Sequence, residues 1–80
     1  MPEILRVKGY RFFFFSRESR EPAHIHVEQG DRYAKFWLQP VQLAKSEGFR
    51  SSELAEIRSL VENNQNFFVE KWNEYFSSKG

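Results

Sequence analysis

The stretch from Glu21 to Leu38, EPAHIHVEQGDRYAKFWL, leaves this chain the fewest choices. Ala23, Ile25 and Val27 alternate with His24, His26 and Glu28. A period of two belongs to a β-strand, which sends the apolar set to one face and the polar set to the other. Gly30-Asp31 follows as a two-residue turn with glycine first, where type II′ geometry needs a positive φ. That turn sets the register. Ile25 falls opposite Phe36 and Val27 opposite Ala34 on the buried face, while His24 meets Trp37, His26 meets Lys35 and Glu28 meets Tyr33 on the other. One hairpin surface thus gathers both imidazoles of the protein with an amine, a carboxylate, a phenol and an indole.

Eighty residues make a single domain, 1–80, at a size where one hydrophobic core is barely sufficient. Without cysteine there is no disulfide and no thiolate metal site to help, so packing must supply the stability. Nine phenylalanines, three tyrosines and two tryptophans suit that need, because an aromatic ring buries a large area per residue. The longest apolar run is Phe12–Phe15, too short for a membrane span, and Met1-Pro2-Glu3 lacks the basic-then-apolar pattern of a secretory signal. The expected location is the cytoplasm. Charge is near balance but uneven: seven basic and five acidic residues precede Pro40, and five basic and six acidic follow it. The excess on the first half favours a polyanion weakly and is too small to argue duplex DNA binding.

Ahead of the hairpin, Glu3–Val7 and Tyr10–Ser16 read as two strands joined by a turn at Gly9. Phe12 and Phe14 lie on one face of the second strand and Phe13 and Phe15 on the other, so either both faces are covered or one is an aromatic platform. Ser16–Pro22 is a charged loop whose Arg17 and Arg20 flank the histidine face. Val41–Ala44 reads equally as an extended crossing or one helical turn before Ser46-Glu47-Gly48. From Ser51 the period becomes 3.6: Leu54, Ile57, Val61, Phe68, Trp72, Tyr75 and Phe76 trace one stripe, with Ser51 as the expected N-cap. The stripe falters at Asn63-Asn64-Gln65, where one helix bends or two meet. The expected fold is α+β: a four-stranded, mainly antiparallel sheet within 3–38, with a C-terminal helix or helix pair within 51–77 packed on the Ile25, Val27, Ala34, Phe36 and Leu38 face.

The polar face suggests three kinds of chemistry. His24 and His26, about 7 Å apart at Cα on one side of a strand, suit a shared ion with Glu28 as third ligand, although the spacing permits a metal without requiring one, and we assign no metal or cofactor. Alternatively, the two histidines divide the acid and base work of RNA cleavage, with Lys35 or Arg20 facing the charge on phosphorus and Trp37, Tyr33 or Phe13 stacking a base. The catalytic candidates are then His24, His26, Lys35 and Glu28, and the substrate-binding candidates Arg20, Tyr33 and Trp37. In the third reading the histidines only satisfy their neighbours, and the aromatic face or an unpaired sheet edge docks a protein.

GYRFFFFS (Gly9–Ser16), EPAHIHV (Glu21–Val27), AKFWL (Ala34–Leu38) and EKWNEYF (Glu70–Phe76) occur in an order and spacing that resemble a bacterial family, domain of unknown function 4160. The resemblance spans Pro2 to Phe76 and carries Glu21, Pro22, His24, His26 and Trp72 as motif residues. It implies membership of a small two-gene module with a toxin-antitoxin role. On that footing the expected function is a toxin acting on RNA or the translation machinery through His24 and His26, with a small protein partner and RNA as a further ligand. The alternative is a non-catalytic antitoxin or adaptor. Where the family pattern leads us to expect a small capping residue after Phe49, this chain has Arg50, which moves the expected cap to Ser51.

Overall fold

The computed structural model describes residues 3–15 and 20–77. Five strands, β1 (Glu3–Val7), β2 (Tyr10–Phe13), β3 (His24–Gln29), β4 (Arg32–Leu38) and β5 (Val41–Glu47), precede two helices, α1 (Ser51–Asn63) and α2 (Gln65–Ser77). The strands form one antiparallel meander in sequence order. Most of the expected Ser16–Pro22 loop, Arg17 with it, and the tail at Ser78–Gly80 lie outside the described residues.

Turn chemistry explains the hairpins. Lys8 and Gly9 both take positive φ, 54° and 83°, as a type I′ turn requires. Gly30 has φ 62° and Asp31 is not left-handed, which is the type II′ pattern, and the β3–β4 pairs are those that turn predicts, from His24↔Trp37 to Glu28↔Tyr33. The fold class stands as expected, with one strand more. Val41–Glu47 resolves the open choice as extended chain and forms β5, the edge of the sheet beyond β4. Its alternation is broken because Ala44 has no opposite residue: Lys35 pairs with Lys45 and Phe36 with Leu43. Ile4 is a similar extra residue in β1, between the pairs Glu3↔Phe13 and Leu5↔Phe12.

The helices cover one face of the sheet. Phe12, Phe14, Ile25, Val27, Ala34, Phe36 and Leu38 are buried there against Ile57, Val61, Phe68 and Trp72. Phe12 packs on Phe68 in a tilted pair with centroids 5.4 Å apart, and Phe14 meets Trp72 edge-on at 5.3 Å. Two helices, not one bent helix, make this layer. Asn64 leaves helical geometry at φ −112°, ψ 17°, turns its side-chain amide back to the Leu60 carbonyl, and offers its own carbonyl to Phe68 N–H. The same residue therefore ends α1 and begins α2. Among the described residues no helix is long and apolar enough to cross a membrane.

At the start of α1 the expected cap shifts by one residue. Arg50, extended at φ −80° and ψ 162°, is the N-cap, and Ser51 is the first helical residue. Glu53 causes the shift, because its carboxylate accepts the Arg50 backbone N–H at 2.8 Å and also pairs with Arg32 on β4. One turn further on, Glu56 accepts from Tyr10 Oη at 3.0 Å and Lys8 Nζ at 3.2 Å, tying α1 to the first hairpin.

Two outcomes follow from this packing. Phe68→Ala should cost about 3–5 kcal/mol in urea unfolding, because it opens a cavity between α2 and β2. The hydrogen bonds from Lys8 and Tyr10 hold the Glu56 carboxyl below its ordinary value. Its contribution to stability is therefore present above the unfolded-state pKa and disappears as pH falls through the lower folded value. Glu56→Gln should flatten that acid limb in melts recorded against pH.

Candidate functional site

The face of the sheet turned away from the helices carries Arg11 and Phe13 from β2, His24, His26 and Glu28 from β3, Tyr33, Lys35 and Trp37 from β4, and Lys45 and Glu47 from β5. Register alone places them there, since each is two residues from the next along its strand. All but one of the predicted site residues share this face. Arg20 belongs to no strand and is exposed in the segment before Glu21.

The face differs from an open chemical surface in one decisive respect. His24 and His26 are 0% and 1% exposed. Phe13 stacks on the His26 ring at 5.5 Å, Phe15 closes over it at 4.3 Å, and Tyr33 stacks from the far side at 5.8 Å. His24 is held edge-on between His26 at 5.0 Å and Trp37 at 5.6 Å, with Trp72 of α2 at 4.8 Å. The rings form a second aromatic layer beneath the sheet, with histidines at its centre.

Both imidazoles are hydrogen-bonded within it. His24 Nδ1 lies 2.8 Å from the Pro22 carbonyl oxygen, which can only accept, so Nδ1 carries a proton. His26 Nδ1 shares a 2.7 Å hydrogen bond with Tyr33 Oη. Such partners are what a buried polar ring needs to offset its lost hydration.

Above the rings the charges neutralise one another. Arg11 pairs with Glu28 directly across β2–β3. Lys35 Nζ sits 2.7 Å from Glu21 Oε1 and 4.6 Å from the Trp37 ring centre, so it is held by an ion pair and a cation–π contact together. Lys45 pairs with Glu47 at 3.5 Å and lies 6.0 Å from the Tyr33 ring centre. Glu28, the candidate third metal ligand, is thus committed to Arg11, and among the described residues no group of three His, Asp or Glu side chains converges on a metal site.

Sequence reasoning missed Arg11, while Glu21 and Trp72 entered it as motif residues; Glu21 lies 3.7 Å from His24 Nδ1 and pairs with Lys35. Arg11↔Glu28 follows from the β2–β3 register, but no tight turn joins those strands, so their spacing carried no signal for it. Trp72 reads as a core residue from its stripe, and its contact with His24 depends on where α2 ends up.

The family described as domain of unknown function (DUF4160) matches residues 9–73, which take in this whole face and most of both helices. The chain belongs to that family. No curated protein and no solved structure matches it. The family description names no chemistry, so the reading of this DUF4160 domain rests on its geometry. Tyr33→Phe, which removes a hydrogen-bond partner of a buried imidazole, should lower unfolding stability by about 1–3 kcal/mol at neutral pH. A change smaller than half a kcal/mol in urea titration would show that the Tyr33 hydroxyl does not support the layer.

Proposed function

We propose that this DUF4160 domain is a non-catalytic protein-interaction module, the antitoxin or adaptor member of a cytoplasmic two-protein pair. The observation that carries this reading is the burial of His24 and His26 at 0% and 1% exposure, each hydrogen-bonded inside the aromatic layer. A general acid or base must come within about 3 Å of the proton it moves, and a ring sealed under Phe13 and Phe15 does not meet substrate while the layer stays closed. The charges above the layer support the same view. Arg11, Lys35 and Lys45 each have a carboxylate at hand, which leaves little net field for a polyanion and suits the mixed polar surface of a protein interface.

A second reading, a toxin that cleaves RNA through the histidine pair, draws on the 5.0 Å separation of the two rings and requires the cover to lift. Two assays separate these readings. Expression of this chain alone should leave growth unaffected, and the purified protein should leave total RNA intact from about pH 5 to pH 8. Cleavage that His24→Gln or His26→Gln abolishes, with unchanged circular dichroism, would establish the catalytic reading instead.

A further inference from the structure

At one edge the two layers gape. A slot of about 240 Å³ opens between β5 and α1, lined by Phe36, Leu43, Ser51, Leu54, Ala55 and Arg58. Its floor is the buried Phe36 ring, and Leu43 on its wall is 39% exposed, one of the two exposed large apolar side chains among the described residues. Leu43 points this way because it pairs with Phe36, whose side chain faces the helices. Beside the slot, β5 is the last strand of the sheet, so one side of its backbone has no neighbouring strand.

We infer that this slot receives an extended segment of a partner protein, added to the outer edge of β5, with an apolar side chain over Leu43 and Leu54 and a carboxylate on Arg58. The inference deepens the interaction-module reading and rests on it. Three features define the occupant. An open ladder edge pairs with an extended chain, and alternate side chains of that chain fall on the helix side, where the slot has room for one leucine- or phenylalanine-sized group. The single charged group lining the slot is Arg58, half-exposed, which gives Nε–H to Glu62 at 3.4 Å and one Nη2–H to the Val41 carbonyl at 3.3 Å, so that the rest of its five N–H donors face outward from those two contacts. It therefore complements a carboxylate. Finally, the bulge at Ala44 and the charges of Lys45 and Glu47 interrupt the edge, so pairing is confined to the Val41–Leu43 part beside the slot.

A second copy of this chain is the poorer occupant. Its own β5 carries the same bulge, so two copies would pair over no more than their short Val41–Leu43 stretches, and each would bring an arginine rather than a carboxylate to the other's slot.

The test uses the full chain, immobilised and panned with a random peptide library displayed on phage. Enriched peptides should alternate apolar and polar residues, include Asp or Glu, and bind as synthetic peptides with dissociation constants on the order of 10 μM, as a short contact implies. In amide NMR they should shift Val41–Glu47 and Leu54–Arg58. Ala55→Lys, at an exposed helix position, should fill the slot and weaken binding at least tenfold, and Arg58→Glu should move the selected charge from acidic to basic. The inference is overturned if no peptide is enriched, if Ala55→Lys binds as well as the parent, or if β5 shifts only with protein concentration as copies pair. Peptides that bind another face would remove the slot and leave the interaction reading standing. Histidine-dependent RNA cleavage would remove that reading without touching the peptide result.

Discussion

A sheet that carries large rings on both faces must keep water off both, and this chain has helices for only one. Phe12 and Phe14 meet α2 in the ordinary way. Phe13 and Phe15, on the other face, pack with rings of the sheet, two histidines, a tyrosine and a tryptophan, and α2 reaches this layer only through Trp72 against His24. Buried imidazoles are tolerable there because each has a hydrogen-bond partner within reach. The layer depends on flat rings with polar edges, which aliphatic side chains of equal volume would not provide.

The charges depend on the same layer. Lys35 lies over Trp37 and Lys45 near Tyr33, so the cations are spread on the rings and then neutralised by Glu21 and Glu47. Arg32 does the corresponding work at the helix side, reaching Glu53 of α1 while its guanidinium lies 5.6 Å from the Phe49 ring centre. Most of these ion pairs are partly exposed, and each alone is worth little. Of these pairs, Arg32–Glu53 is the one that ties α1 to the sheet.

Much of this was legible in the residues. The Gly30-Asp31 turn and the alternation around it were enough for the β3–β4 register, because a two-residue loop leaves one pairing. The helical stripe located both helices, and Asn63-Asn64-Gln65 marked their junction. Strand β5 was not legible: VQLAKSE is almost wholly exposed, so burial imposes no pattern on it, and the extra residue Ala44 shifts what alternation remains. The site residues could be assembled on one face, but not their burial. A period of two says which side chains share a face, and closure of that face by Phe15 and Trp72 comes from segments far along the chain or outside the strands. The N-cap of α1 moved to Arg50 because the carboxylate of Glu53, three residues on, accepts the Arg50 amide.

The strict β1-to-β5 order has a kinetic side. Each strand lies against the strand before it, and β1–β2, β3–β4 and β4–β5 are joined by two-residue turns, so most of the sheet forms by closing short loops. The distant closures belong to the helices, above all Phe68 onto Phe12 and Trp72 onto Phe14. A chain emerging from its N-terminal end therefore displays the Phe12–Phe14–Ile25–Val27 surface before α2, the element that shields it, has been made. For that interval the nascent sheet is the sticky species, and the last dozen helical residues act as its shield.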